Sequence, residues 1–585
     1  MSIAATSPTT GEVERTDPAC GPEAVDAGRS ATEALGPEGK LLAGIDVAGF
    51  AQSLSRVMAA LAARPHLLLG PTGRLTVALA TGGASTAGRF FGVPFPGVDG
   101  DDRRFRHQAW EHNPWYFGIR QSYAAWSRYL LDLVDAAGVD RLTAEKARFA
   151  VQLAVGAMAP TNTFWGNPAA IQRAAETGGM SVLAGVRNFF HDLSVNGGRP
   201  SQVDATPFRL GENLAATPGT VVFKNDLMEL IQYEAQTDTV HEVPLLLSPP
   251  WINKYYIMDL SPGRSFVEWA VQHGHTVFAI SYRNPDESHR DVNLDDYLLN
   301  GPYEALRVIE EITGSKQANV VGLCLGGTLT MMLLAHLAAH DHDRVRSATL
   351  LNTMIDFREP GPMGIFVDPR SVEQLSERMQ ERGFLESSEM STMFDLLRAQ
   401  DLVWNYVGTG WLMGEKPPAF DILAWNADGT RMPADMHSFY LRYCYVENQL
   451  AKGEMTLAGT RLDLRTIDED VYVLAARDDH IAPWKSSYAT THLTGGPVRF
   501  VLSSSGHVAG IVNPPGGRRS YWTNADLPPD PEQWLAGAEH HQGSWWEDWT
   551  AWIAERAGKR RQPPPMGSKA HPPLGPAPGT YVHQR

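Results

Sequence analysis

Cysteine is scarce, with three residues (Cys20, Cys324 and Cys444) in a chain of 585. That excludes a disulfide framework and fits a reducing compartment, where a reactive thiol survives. Positive charge is also short: 50 Lys and Arg stand against 66 Asp and Glu, a formal net charge of -16. A general nucleic-acid binder carries the opposite balance, so no nucleic acid is expected as a partner. An anionic substrate such as a CoA thioester needs only a local basic patch. Apolar runs long enough to span a membrane are missing; the stretches near Val243 and Met331 are broken by Pro or His. The first residues lack the basic region and apolar core of a secretory signal, so a cytoplasmic location is expected. No internal repeat is present. What remains is an ordinary globular composition, 43% hydrophobic and 20% charged, long enough for a large core.

Residues 1–40 are rich in Ala, Thr, Pro, Gly and acids and are expected to be a disordered segment. Residues 41–205 read as a helical N-terminal domain. Its first candidate helix, over 46–63, has an apolar stripe for its own domain or for a partner. From about 220, strands and helices alternate, the signature of an α/β fold with a mostly parallel sheet. Strands are expected at 220–223, 228–233, 243–248, 276–282, 319–321 and 345–351, and a long helix at 294–313. The alternation stops near 356 and resumes with strands at 471–476 and 498–502. The intervening helical, aromatic segment, about 356–466, reads as a cap inserted above the active-site edge. The fold expected for 206–585 is therefore an α/β-hydrolase-type sheet with an inserted helical cap. A Trp-rich helix follows at 545–557, and then a Pro-rich tail expected to be poorly ordered, although its TYV stretch could dock.

The chemistry centres on Gly322-Leu323-Cys324-Leu325-Gly326, between an apolar strand and an apolar helix. G-x-nucleophile-x-G at a strand-to-helix turn is a nucleophile elbow, here with Cys in place of the common Ser. Glycines flank the nucleophile because the sharp turn leaves no room for a Cβ, and the helix N-terminus favours negative charge on the sulfur. A cysteine nucleophile needs a base, and the base an orienting acid. Chain order in this architecture places the acid and then the His on loops after later strands. VYVLAA runs into Arg477-Asp478-Asp479-His480, and VRFVL into Ser503-Ser504-Ser505-Gly506-His507. His507 is the candidate base and His480 its rival; spacing leaves Asp478 and Asp479 open. The oxyanion donors expected are the N–H of Leu325 and one from the loop after VPLLLS, near Trp251 and Ile252. Cysteine leans toward acyl transfer between thioesters, since an acyl-Cys stays activated for passage to an alcohol, and a cap that excludes water keeps hydrolysis from competing.

These motifs resemble those of the polyhydroxyalkanoate synthases. The resemblance rests on GLCLGG, DDHIAPW, SSGHVAG and PPWINKYYIMDL, with DRRFRHQAWEHNP, APTNTFWGNP, TPGTVVFKNDLMELIQY, SYRNPD, FDILAWNAD, IVNPPGG and QWLAGAEHHQGSWWEDWTAWIAERAG. It covers about Asp101 onward and leaves the first hundred residues outside. It implies an enzyme that polymerises (R)-3-hydroxyacyl-CoA, with the hydroxyacyl-CoA and the growing polyester as its partners. It also implies a cytosolic homodimer at polyester granules and their associated proteins, with no cofactor and no metal. Carried over, the nucleophile is Cys324, the acid Asp479 and the base His507. Trp425 in LAWNAD falls at a position kept for structure or dimer contacts, and a plain core aromatic is the stronger reading. GLCLGG is similar to the short-chain type, which prefers 3-hydroxybutyryl-CoA, whereas APGTYVH is similar to the medium-chain type. The competing expectations are a thioesterase or polyester hydrolase of the same fold, and a noncatalytic scaffold.

Overall fold

The computed structural model describes residues 46–93, 95, 97 and 102–585. The segment expected to be disordered, 1–40, lies outside these residues, as does Cys20.

The described residues begin with helices whose starts are written in the sequence. Asp46 caps Val47–Ala63 by accepting from the N–H of Gly49 at 2.8 Å. Asn113 and the following proline open Pro114–Ala136, and Asp140 caps Arg141–Ala157. A short polar side chain at the cap satisfies N–H groups that the helix cannot. The stripe of Val47–Ala63 is covered by its own chain: Val57 and Leu61 pack with Val134, Ala137 and Ala147. The helix Leu69–Phe90, with five glycines in its length, was not foreseen.

Eleven strands among the described residues form one sheet. They are β1 (Gly219–Lys224), β2 (Met228–Tyr233), β3 (Leu245–Ser248), β4 (Val277–Tyr282), β5 (Ala318–Leu323), β6 (Val345–Leu351), β7 (Asp470–Ala476), β8 (Val498–Ser503), β9 (Ser520–Thr523), β10 (Glu539–Gln542) and β11 (Gly575–Pro576). Their order is β10-β9-β8-β7-β6-β5-β3-β4-β2-β1-β11. The middle six, β8 to β4, pair in parallel. Both flanks are antiparallel. The parallel strands are covered on both faces and so read as continuous apolar runs. The helix Leu325–Ala339 after β5 is buried almost throughout.

Two expectations need correction, and some strands were not expected. The helix expected over 294–313 is broken into Leu294–Leu298 and Glu304–Thr313 by a wide turn that contains Pro302, with Gly301 out of helical conformation. Proline has no N–H to donate and its ring clashes one turn back. Strands β9 and β10 were missed, since EHHQ carries no apolar alternation. The tail is ordered and docked: β11 adds to the sheet edge beside β1, and Tyr581 and Val582 are buried.

Between β6 and β7 lies the cap, built from Pro369–Arg382, Ser387–Leu397, Asp421–Asn426 and Ala434–Tyr440 with wide helical turns between them. The N-terminal helices and the segment after them tie to the cap through partly buried polar contacts. Lys146 Nζ meets Asp368 at 2.5 Å, the Trp411 indole donates to Asp192 at 2.7 Å, and Gln202 donates to the Leu402 carbonyl at 2.7 Å. No described helix is long and apolar enough to cross a membrane.

Candidate active site

Loops at the C-terminal ends of neighbouring parallel strands build the site, the position where open α/β sheets bind ligands. Strand β5 delivers Cys324, β7 delivers Asp479, β8 delivers His507 and β3 delivers the loop of Ile252. Cys324 has φ 51° and ψ −116°, a region that a side chain enters only when its surroundings hold it there. Those surroundings are specific. The Cys324 N–H donates to the Leu351 carbonyl at 2.8 Å, and the Thr353 hydroxyl donates to the Cys324 carbonyl at 3.2 Å. A Cβ on Gly322 would meet Gly327 at 2.5 Å, and one on Gly327 would meet the Thr353 hydroxyl at 2.0 Å, so only glycine fits either position.

His507 and Asp479 meet directly. The imidazole Nδ1 donates to Asp479 Oδ2 at 2.6 Å, and the carboxylate is fully buried. Its other oxygen accepts from the N–H groups of Ile481 at 2.8 Å and Ala482 at 2.9 Å. Asp478 is exposed instead, and its N–H spans to the Ser505 carbonyl at 2.9 Å, joining the acid loop to the His loop. Burial opposes charge on His507. The Asp479 carboxylate and Cys324, acting by charge and hydrogen bonding, outweigh it and hold the imidazole well above the ordinary histidine range. The rival His480 behaves in the opposite way. Burial, with Arg398 adding to it, pushes that ring down to about 4, and its Nδ1 is buried without a hydrogen-bond partner.

The His507 loop is held from below by the Trp-rich helix Trp545–Ala554. The indoles of Trp545 and Trp546 donate to the carbonyls of Gly510 and Ile511 at 2.8 and 2.9 Å, at the end of the short helix that His507 begins. The Asn352 side-chain amide donates to the His507 carbonyl. Sequence reasoning found this helix and missed its role.

Leu325 opens the helix after Cys324, so its N–H has no carbonyl one turn back to bond. Ile252 lies on the same cavity wall as Cys324 and Leu325. The cap clamps that loop: the Thr430 hydroxyl donates to the Trp251 carbonyl at 2.7 Å, and the Trp425 indole donates to the Lys254 carbonyl at 2.7 Å. Trp425 is thus a buried structural aromatic whose polar end holds the expected oxyanion loop.

Above the thiol is a cavity of about 1080 Å³, walled by the cap and by Asp46, Val47 and Phe50 of the first described helix. Nothing in the apolar stripe of this helix indicates that it reaches the site. Two cap tyrosines, also missed, stand beside the thiol. Burial holds the phenols of Tyr440 and Tyr445 well above their ordinary range, and Cys324 adds to both shifts, so both remain neutral donors. Their spacing in YLRYCYV reads as cap packing, and only the fold brings them to Cys324.

Residues 101–270 match the family model of the poly-beta-hydroxybutyrate polymerase (PhaC) N-terminus, and residues 263–514 match that of the alpha/beta hydrolase fold. The chain is 41% identical over 562 residues to the poly(3-hydroxyalkanoate) polymerase of Methylorubrum extorquens, covering 94% of this chain and 93% of that one. It is 44% identical to the poly(3-hydroxyalkanoate) polymerase subunit PhaC of Rhizobium meliloti (83% and 80% covered) and to that of Cupriavidus necator (82% and 83% covered). The Methylorubrum match reaches into the first hundred residues, which the motif resemblance had left out. Similarity of this degree over most of both chains makes the protein a member of the poly(3-hydroxyalkanoate) polymerase family.

Proposed function

We propose that this protein polymerises (R)-3-hydroxyacyl-CoA, with 3-hydroxybutyryl-CoA as the favoured monomer, into polyester with release of CoA through an acyl-Cys324 intermediate. The observation that carries the reading is the buried Asp479–His507 pair beside a cysteine on a nucleophile elbow, beneath a capped cavity. In the first step His507 takes the Cys324 proton, and the thiolate attacks the thioester carbonyl carbon. The tetrahedral oxyanion accepts from the N–H groups of Leu325 and Ile252. The bond to the CoA sulfur breaks, and CoA leaves as the thiol with the proton from His507. In the second step the hydroxyl of another hydroxyacyl unit attacks the acyl-Cys324 carbonyl and gives its proton to His507. Collapse forms one ester bond and returns the proton and the electron pair to the Cys324 thiol. Asp479 keeps the Nδ1 proton of His507 in place through both halves.

The cap supports transfer over hydrolysis, since a walled cavity limits water at the acyl-enzyme. Growing polyester then accumulates as granules in the cytoplasm, where the protein works at the granule surface as a homodimer alongside granule-associated proteins. The test is CoA release from (R)-3-hydroxybutyryl-CoA by wild type and Cys324→Ala, with the product sized. Release with high-mass polymer, lost in the variant, is the expected result. Release with only free hydroxy acid makes the protein a thioesterase and overturns the reading.

A further inference from the structure

His437 lies on the short helix Ala434–Tyr440 in the wall of the cavity above Cys324. Its side chain is 1% exposed, and neither ring nitrogen has a hydrogen-bond partner. A buried polar group without a partner is unfavourable, and an aromatic hydrocarbon ring would fill the same space without that cost. Packing therefore does not account for an imidazole here. Burial pushes the ring down to about 4, so at neutral pH it is uncharged and offers one donor and one acceptor.

The ring is also held in place. The N–H groups of Asp435 and Met436 donate to the carbonyls of Arg290 and Val292, both at 3.2 Å. One turn further along the helix stands Tyr440, whose ring centre is 6.2 Å from that of His437. Tyr440 is one of the two tyrosines beside the thiol. An unsatisfied donor–acceptor pair thus lies one helical turn from Tyr440, in the wall of the same cavity that Cys324 lines.

Resting on the synthase reading, we propose that His437 is a specificity-determining residue whose imidazole binds the 3-oxygen of the acyl unit. That oxygen is a hydroxyl in a monomer and an ester oxygen in a grown chain. The N–H of His437 serves both, and its unprotonated nitrogen accepts from the hydroxyl only. An acyl chain without a 3-oxygen leaves both nitrogens unpaired and is discriminated against.

The test compares single-turnover CoA release from (R)-3-hydroxybutyryl-CoA and from butyryl-CoA by wild type, His437→Phe and His437→Leu, with a thermal melt of each. The expected result is a melting temperature at or above wild type for a folded apolar variant, and a loss of about tenfold or more on the hydroxyacyl substrate. The rate on butyryl-CoA should change less than about twofold, since that substrate makes no bond to lose. Equal losses on both substrates, or no loss, overturn the inference. So does failure of both variants to fold, because the ring nitrogens would then serve the structure. If wild type releases CoA from neither substrate, the synthase reading itself falls and the inference with it.

Discussion

Gly326 stands against the end of β3 so closely that a Cβ on it would lie 2.0 Å from the Ser248 carbonyl oxygen. This approach sets the nucleophile turn against the strand whose loop carries Ile252, so one contact fixes the distance between the attacking sulfur and the expected oxyanion donors. Gly326→Ala must push the two apart. We expect a loss of about 1–3 kcal/mol in stability, the usual penalty for overpacking, and loss of most CoA release. Denaturant unfolding and steady-state rates measure both. An alanine variant with unchanged turnover would mean that the spacing is not needed for chemistry.

Asp479 serves two masters through separate oxygens, His507 through Oδ2 and the Ile481 and Ala482 N–H groups through Oδ1. Asp479→Asn keeps an oxygen for the backbone groups but turns an amide N–H₂ toward His507 Nδ1. That favours the wrong tautomer while sparing the loop. CoA release should fall by up to about 10⁴-fold, the loss seen when a triad carboxylate is neutralised, with little change in the thermal melt. Activity above a tenth of wild type would remove Asp479 from the mechanism.

Asp259 gives a prediction about pH that is independent of catalysis. It is 1% exposed and accepts from the hydroxyls of Thr217 at 2.6 Å and Ser265 at 2.7 Å. Burial outweighs these bonds and lifts its carboxyl from the ordinary 3.8 to about 6. Between these values the folded state binds more protons than the unfolded chain, so stability falls as pH rises. The contribution is full below the unfolded value and is lost as pH rises through about 6. A shift of this size corresponds to about 3 kcal/mol. Asp259→Asn keeps an acceptor for both hydroxyls and cannot ionise. Unfolding free energies measured from pH 4 to 7 should therefore show a falling slope in wild type that flattens in the variant. Parallel curves would show that Asp259 does not ionise in this window.

Much of this site could be read from the chain because its signals are local. The elbow needs glycines at fixed offsets, and β2 (MELIQY) and β6 (VRSATLL) are short stretches with apolar residues at both ends; both strands have the expected boundaries. The choice between Asp478 and Asp479 was not legible from spacing and came only from the motif resemblance. It depends on how the loop after β7 turns, where the Asp478 N–H bonds the Ser505 carbonyl in the neighbouring loop after β8. Tyr440 and Tyr445 reach the cavity only because the cap folds over β5, and Phe50 only because the first described helix packs on Phe366, long-range events with no periodic trace. The tail misled for a related reason. Its proline content argues against regular structure, while the partner that orders it, Glu229, lies 351 residues before Thr580.

That last pairing has a consequence in time. Glu229 is nearly fully buried and its carboxylate accepts from the Lys224 ammonium, the Thr580 hydroxyl and the N–H groups of Thr580 and Tyr581. Three of those four donors are made about 350 residues after Glu229 itself. At roughly 5–20 residues per second, translation leaves this acid without them for roughly 20–70 s after its own synthesis. Strand β1 waits equally long for its outer neighbour, with its edge open to other chains. The interval between making β1 and making β11 is thus the stage of biosynthesis at which this protein depends most on protection from its own copies.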